Sequence, residues 1–216
     1  MKKTKRWLTV LLCLGLLAGL CAACTVPEPA DSSVDSGEIL PRELTAAEKE
    51  TVQAYLNAAE NNGLVGCQYA TPQDVPLNWM FYDGAGVGDW DMSAWSEEEK
   101  QALLAHTGWE EFYVKVMKLP AAAVAATVEE KLGIPLSAVS RGLSYHYLEE
   151  YDTYYSMHSD TNMVRVTVTG GRVAGQEYTV QYTAEYIADS EEAFTVVLRR
   201  TADGYQFVSN LPDEPS

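Results

Sequence analysis

The residues best suited to covalent chemistry are a single thiol and the imidazoles that follow it. Cys67, His158 and Asp160 occur in the order thiol, base and orienting acid that a cysteine hydrolase needs. The alternative base is His146, and the alternative orienting groups are Asp152 and Asn162. A nucleophilic thiol must lose its proton, which a helix N-terminus favours. Pro72 follows too soon for a helix to begin at Cys67. The sequence therefore favours the ordinary role of a lone cysteine, which is a buried structural one.

Two groups of side chains have metal-ligand chemistry at short spacing. His158 and Asp160 supply two ligands without a third, so we favour a turn in which side chains of residues 158–162 cap their own backbone. Asp83, Asp89 and Asp91 bring together three carboxylates, the ligands that calcium prefers. Glycines stand where an EF-hand needs ligands, which favours a flexible surface loop instead. The sequence therefore predicts no metal ion and no cofactor.

Aromatic residues are concentrated in two stretches, residues 79–109 and 145–155. Flat rings in an open groove stack on sugars or pack against a partner protein. The candidates for binding are Trp79, Trp90, Trp95, Tyr151, Tyr154, Tyr155 and His158. The alternative is a core built from amphipathic rings. The alternation of Tyr145 and Tyr147 with Leu143 fits a strand and favours packing for that segment.

The elements that position these residues begin at two capping boxes, Thr45 with Glu48 and Ser96 with Glu99. In each box the hydroxyl accepts a free backbone amide and the Glu reaches back to the cap. Apolar residues at helical spacing follow the first box. Asn61–Gly63 supplies the left-handed residue that is predicted to end this helix.

The middle of the chain is predicted to be mixed. Prolines and glycines break residues 64–92, which we interpret as irregular. Apolar residues alternate with Tyr113 and Lys115 over residues 112–116, which predicts a strand. A helix is predicted to begin at Pro120 and to end at Gly133.

The hydrophobic period changes from 3.6 to 2 residues in the C-terminal third. Apolar residues alternate with polar ones over residues 164–168, 178–186 and 194–198, and Gly170-Gly171 and Asp203-Gly204 are turn signals. Strands joined by tight turns form an antiparallel meander with one buried face. Helices followed by strands predict an α+β domain, in which N-terminal helices pack on a C-terminal antiparallel β-meander.

The N-terminus predicts export and a lipid anchor. Four positive charges precede an apolar run over residues 7–20 that is short for a membrane span. Ala22-Ala23-Cys24 resembles a lipobox, in which the cysteine receives a diacylglycerol and becomes the new N-terminus, although Cys21 stands where an aliphatic residue is usual. Residues 1–23 would then be a lipoprotein signal peptide. The alternative is an ordinary secretory peptide cut near Ala23.

Composition divides the rest of the chain into a tether and a domain, and the net charge excludes some binding partners. Residues 24–42 are predicted to be a lipidated, disordered tether, and residues 43–216 a single α+β domain. Loss of residues 1–23 removes four positive charges and no acid, which takes the net charge from −16 to −20. So acidic a chain is not expected to bind nucleic acid or an anionic lipid surface. The acyl group would therefore hold the protein alone, at the extracytoplasmic face of the cell membrane.

Four segments carry a resemblance to a known group of proteins, namely residues 79–86, 151–155, 158–162 and 204–210. They resemble segments of uncharacterised lipoproteins from Gram-positive gut-type bacteria. The similarity covers most of residues 43–211. It implies a lipoprotein address and no catalytic residues, because that group has no assigned activity.

These features predict a membrane-anchored recognition domain without catalysis. Its ligand would be an envelope glycan, a peptide or another envelope protein. One alternative is an inhibitor or regulator of cell-wall hydrolases, where the acidic surface would meet a basic groove. The other is an envelope hydrolase of the papain-like type that uses Cys67 and His158.

Overall fold

The computed structural model of the chain describes residues 40–160, 163–185 and 191–213, which belong to one unit. Cys24, the predicted signal peptide and nearly all of the predicted tether lie outside these ranges, so the lipid anchor stays a prediction. Arg42, the last residue of that tether, pairs with Val173 in a sheet. Within the described ranges, no helix has the length and apolar character needed to cross a membrane.

The elements of the described chain are as follows. The helices are α1 (Ala46–Leu56), α2 (Asn62–Val65), α3 (Leu77–Asp83), α4 (Glu97–Thr107) and α5 (Ala121–Leu132). The strands are β1 (Arg42–Glu43), β2 (Val116–Pro120), β3 (His146–Leu148), β4 (Thr153–Met157), β5 (Arg165–Ala174), β6 (Glu177–Glu185), β7 (Glu191–Arg200) and β8 (Tyr205–Pro212).

The larger sheet has the order β1-β5-β6-β7-β8 and is antiparallel throughout. The predicted C-terminal meander and the α+β class are therefore confirmed. Alternate residues of β6, from Tyr178 to Ala184, are buried, as the period-2 pattern predicted, whereas Tyr186 lies outside the described residues. The buried face includes Val166, Val173, Val180, Tyr182, Phe194, Val196, Leu198 and Phe207.

Helices α1 and α5 lie against this buried face, next to β5 and β8 respectively. The capping box at Thr45 is present, with Glu48 bonded to the Thr45 amide at 2.9 Å. The predicted end of the first helix is wrong. Helix α1 ends at Leu56, because Asn57 takes up the cap and turns its amide to the sheet, and Asn61–Gly63 forms the next short helical turns instead.

The smaller sheet, with the order β2-β4-β3, separates two clusters of buried side chains. One face of β2 places Met117 and Leu119 in the main core. The other face places Val116 in a second cluster with Trp95 and Leu103 of α4. The predicted strand over residues 112–116 is displaced, because the ladder with β4 begins only at Val116.

Helices α2 and α3 lie in the region predicted to be irregular, and they approach each other closely. Leu77, Met80 and Phe81 of α3 are fully buried. A Cβ atom at Gly63 of α2 would lie 2.0 Å from the carbonyl oxygen of Met80. The interpretation of residues 64–92 as irregular is therefore wrong for these two segments, because each is a short helix fixed by tertiary packing.

Candidate functional site

A group of exposed and half-exposed aromatic side chains lies around His158. Its imidazole is 4.4 Å from the ring of Tyr82 and 4.5 Å from that of Trp90, between centroids. Tyr82 also contacts Trp79 edge-on at 6.3 Å. Trp79 is 60% exposed and Trp90 37%. We call Trp79, Tyr82, Trp90 and His158 the aromatic patch.

Three different elements position the aromatic patch. Trp79 and Tyr82 are three residues apart on α3, so both lie on the face opposite the buried Met80. His158 follows β4, and its backbone amide donates to the carbonyl of Lys115 at 3.0 Å. Trp90 follows Asp89, whose backbone exchanges two 2.9 Å hydrogen bonds with Lys118 at the edge of β2. Trp79 and Tyr82 are therefore held by a helix, and backbone hydrogen bonds hold the segments that carry Trp90 and His158.

Polar contacts fix the patch in one arrangement. His158 Nε2 lies 2.9 Å from the carbonyl oxygen of Tyr82. The Tyr82 hydroxyl lies 3.2 Å from the hydroxyl of Ser159, and hydrogen bonds from Ser159 lower the pKa of Tyr82. The turn that begins at His158 is thus joined to α3 by two side chains. Thr161 and Asn162, the last two residues of the predicted polar turn, lie outside the described residues.

A pocket of about 380 Å³ lies beside the patch and shares Trp79 with it. Its lining includes Gly66, Cys67, Gln68, Trp79, Asp83 and Val164. We call it the side pocket. Of the described residues that line it, Asp83 alone is charged. Burial raises the pKa of Asp83, and the electrostatic interaction with His158 acts in the opposite direction.

Hydrogen bonds from Asn210 fix the segment that contains Cys67 and forms one wall of the side pocket. This fully buried side chain on β8 donates to the carbonyls of Val65 at 3.1 Å and Cys67 at 2.9 Å, and accepts from the Tyr182 hydroxyl at 2.8 Å. Its backbone also pairs with Tyr69. The segment is therefore fixed to the main sheet, so the pocket has one rigid wall.

Cys67 does not have the surroundings of a nucleophile. Its thiol is buried and lies 3.8 Å from the carbonyl oxygen of Leu64, and burial raises its pKa to about 12. A thiol with that pKa carries almost no thiolate at neutral pH. His158, the proposed base, instead places Nε2 against the carbonyl of Tyr82. These contacts support a structural Cys67.

The other hydrolase candidates lie elsewhere. His146 is on β3 and contacts Trp109 at 5.2 Å, and burial and His106 lower its pKa. Asp152 accepts a 2.6 Å hydrogen bond from the Tyr147 hydroxyl, which raises the pKa of Tyr147 to about 12. Asp160 is an exposed residue of the turn after His158.

The three loop carboxylates do not converge. Asp89 accepts from the backbone amide of Asp91 at 2.9 Å, and Asp91 accepts from the amide of Ser93 at 3.1 Å. Asp83 faces the side pocket instead. Across the part of the chain that the structure describes, no three His, Cys, Asp or Glu side chains are placed to hold a metal ion.

Two of the predicted binding aromatics are buried and two more are half-buried against the core clusters, so we leave these four out of the candidate surface. Trp95 is 5% exposed and packs on Tyr155, which is fully buried. Tyr151 packs against the same cluster, and Tyr154 against the main core beside Tyr147. Tyr154 and Tyr155 are successive residues of β4, so they lie on opposite faces of the small sheet and in the two clusters that it separates.

The sequence singled out Trp79, Trp90 and His158 but not Tyr82, Gln68 or the pocket-facing position of Asp83. The i, i+3 spacing of Trp79 and Tyr82 was a usable signal, since helical spacing places both on one face. Comparison of the chain with known protein families, with curated proteins and with solved structures finds no match. The resemblance to gut-type lipoproteins stays a prediction, and the function must be argued from this geometry.

Proposed function

We propose that the chain is a non-catalytic recognition domain that binds an envelope glycan at the aromatic patch. The observation that carries the proposal is the exposure of Trp79 and Trp90 on either side of His158 and Tyr82. Clustered exposed rings are unusual on a surface unless they serve an interaction. An exposed indole offers a flat apolar face for the C–H groups of a sugar ring, and its N–H remains free for hydrogen bonding.

The rigidity of the patch supports binding over catalysis. A helix holds Trp79, and backbone hydrogen bonds of Asp89 and His158 fix the segments that carry Trp90 and His158, so little conformational entropy is lost when a ligand orders them. The buried thiol of Cys67 and the carbonyl contact of His158 leave the hydrolase alternative without an activated nucleophile. A preformed surface with aromatic anchors matches the usual anatomy of a recognition site.

The position of the chain entry also supports recognition at a distance from a membrane anchor. Arg42 pairs with Val173 near one end of β5, whereas Val164, just before the other end, lines the side pocket. Nine residues of extended strand separate the two points by about 30 Å. A lipidated tether that ends at Arg42 would therefore enter the domain far from the proposed binding surface.

The test is retention of the chain on purified cell-wall glycan, compared among single-residue variants. We expect Trp79→Ala and Trp90→Ala each to weaken binding by about fivefold or more, since truncated hot-spot residues cost above 1 kcal/mol. Tyr113→Ala is the matched control, because Tyr113 is 69% exposed and belongs to neither the patch nor the pocket. Circular dichroism of each variant would establish that the fold is kept.

The proposal fails if both tryptophan variants bind like the wild type. It also fails if Tyr113→Ala weakens binding as much as they do, because the effect would then come from general surface hydrophobicity.

A further inference from the structure

The side pocket combines a carboxylate with an indole wall. Asp83 and Trp79 both line it, and Asp83 Oδ2 would lie 3.9 Å from a Cβ atom at Gly66. Asp83 is only partly exposed, yet within residues 40–160, 163–185 and 191–213 no lysine or arginine forms an ion pair with it. His158 acts on this carboxylate electrostatically, but a partly desolvated carboxylate that no lysine or arginine neutralises still favours a ligand that brings a positive charge.

We propose that the side pocket binds the ammonium group of an amino sugar, with Asp83 as the counter-ion and Trp79 as the aromatic face. This inference rests on the proposed function, because Trp79 belongs to both the patch and the pocket. A cation over an indole ring is attracted by the ring quadrupole, and the carboxylate adds a charge-assisted hydrogen bond. Gln68, at the exposed rim, offers an amide to the hydroxyl groups of the same sugar.

The chemistry of the lining argues against other occupants. An anion would meet the carboxylate without a compensating cation in the lining. A metal ion would find one carboxylate where calcium takes six to eight oxygens. A neutral N-acetylated sugar would stack on Trp79 but would bring no positive charge to Asp83. An ammonium-bearing sugar satisfies both groups.

The net negative charge of the whole chain also favours a cationic ligand. The net charge of −16 attracts cationic ligands over a distance set by ionic strength and raises their association rate. Binding of an amino sugar is therefore expected to weaken as salt is added. Binding of its neutral N-acetylated counterpart is expected to be insensitive to salt.

The experiment is calorimetric titration of the purified full chain with a glucosamine tetrasaccharide and, separately, with its fully N-acetylated counterpart. We expect the wild type to bind the glucosamine oligomer more tightly. Asp83→Asn should weaken that binding about ten- to hundredfold, the range for hydrogen bonds to charged groups. Binding of the N-acetylated oligomer, which brings no charge to Asp83, should not weaken in this variant. Glu110→Gln is the control, because it removes the same charge from an exposed position outside the pocket.

The possible outcomes test the ammonium site and glycan recognition separately. Preferential binding of glucosamine that is lost in Asp83→Asn and kept in Glu110→Gln supports the ammonium site. Equal binding of both oligomers, unaffected by Asp83→Asn, overturns it and leaves glycan recognition intact. Equal losses in the two charge variants also overturn it, since long-range attraction alone would then explain the preference. If neither oligomer binds, the ammonium site is overturned, and retention on cell-wall glycan decides separately whether the proposed function stands.

Discussion

The side chain of Asn57 bonds both backbone groups of Val166. Its Oδ1 accepts from the Val166 amide at 2.9 Å, and its Nδ2 donates to the Val166 carbonyl at 2.8 Å. Gln53 and Asn62 accept from the amides of Val168 and Val164 in the same way, each at 2.9 Å. These three side chains, from α1 and the residues that follow it, thus occupy the free edge at the start of β5, where another strand would otherwise pair. An uncovered edge is a template for association with another chain.

Asn57→Ala is expected to destabilise the fold and expose this edge. The variant leaves the amide and carbonyl of Val166 without their partners and removes a bond to the carbonyl of Gln53. We expect the free energy of unfolding to fall by about 1–3 kcal/mol in urea denaturation. We also expect light scattering to show concentration-dependent association. Glu50→Ala, at an exposed position of α1, is the control and should change neither measurement. Unchanged stability of Asn57→Ala would contradict the assigned role.

The elements that the sequence predicted depend on local signals. A capping box and a period-2 alternation are visible within ten residues, and α1 and the meander follow from them, while Pro120 and Gly133 mark the ends of α5. The sequence indicated strands near β2 and β3 but not β4 or the pairing of the three, because β3 has three residues and pairs with β4 only through tertiary structure. Asn57 was missed for the same reason. From the sequence, a polar residue at the end of a helix is expected to face solvent. The partner of Asn57 is Val166, which lies 109 residues away and cannot be identified from local sequence.

The site was predictable only in part. Trp79 and Trp90 were identified by residue type, but exposure separates them from Trp95, and exposure depends on the folded chain. Asp83 was grouped with Asp89 and Asp91 because the three are close in sequence. The end of α3 turns Asp83 toward the pocket, whereas Asp89 and Asp91 accept neighbouring backbone amides.

Glu99 illustrates a capping box that tertiary structure has altered. The hydroxyl of Ser96 accepts from the Glu99 amide at 3.1 Å, as predicted. The reciprocal contact is replaced, because the Glu99 carboxylate accepts from the Tyr155 hydroxyl at 2.6 Å and pairs with Lys118 at 2.7 Å. Lys118 also lies 5.7 Å from the ring of Trp95. The carboxylate therefore ties α4 to the small sheet.

Glu99→Ala is expected to loosen that attachment. It leaves the Tyr155 hydroxyl and the Lys118 ammonium without their shared acceptor. Because Lys118 is partly exposed, we expect a loss of about 2–4 kcal/mol, slightly below that of a fully buried pair. Urea denaturation followed by tryptophan fluorescence would measure it. Glu98→Ala, one residue earlier and exposed, should stay within about 0.5 kcal/mol of the wild type. Equal stability of the two variants would show that the pair is dispensable.

Gly63→Ala is expected to disrupt the contact between α2 and α3. The new Cβ would lie 2.0 Å from the carbonyl oxygen of Met80, which is backbone and cannot rotate away. We expect the free energy of unfolding to fall by about 3 kcal/mol or more, as for severe overpacking. Gly142→Ala is the matched control, since nothing lies within 4 Å of its added Cβ. Thermal denaturation distinguishes them, and a wild-type midpoint for Gly63→Ala would be incompatible with this packing.

Cys67 is expected to resist alkylation in the folded protein. Because burial raises its pKa to about 12, the reactive thiolate is almost absent in mildly alkaline solution. Peptide mapping after iodoacetamide treatment should show little label at Cys67 in the native chain and full label after denaturation. Cys67→Ala should retain glycan binding, since the thiol takes no part in it. Rapid native labelling would instead revive the nucleophile hypothesis.

Asp83 is expected to destabilise the unliganded fold at neutral pH. Burial raises its pKa above the ordinary value, so the folded state prefers the protonated carboxyl. The favourable contribution of this group is complete below its ordinary pKa and is lost as the pH rises through the raised folded value. Asp83→Asn should therefore raise the melting temperature at neutral pH, and the difference should shrink as acid protonates Asp83. Glu110→Gln should leave the melting temperature unchanged at both pH values. A lower melting temperature for Asp83→Asn at neutral pH would mean that the carboxylate already has a stabilising partner in the fold.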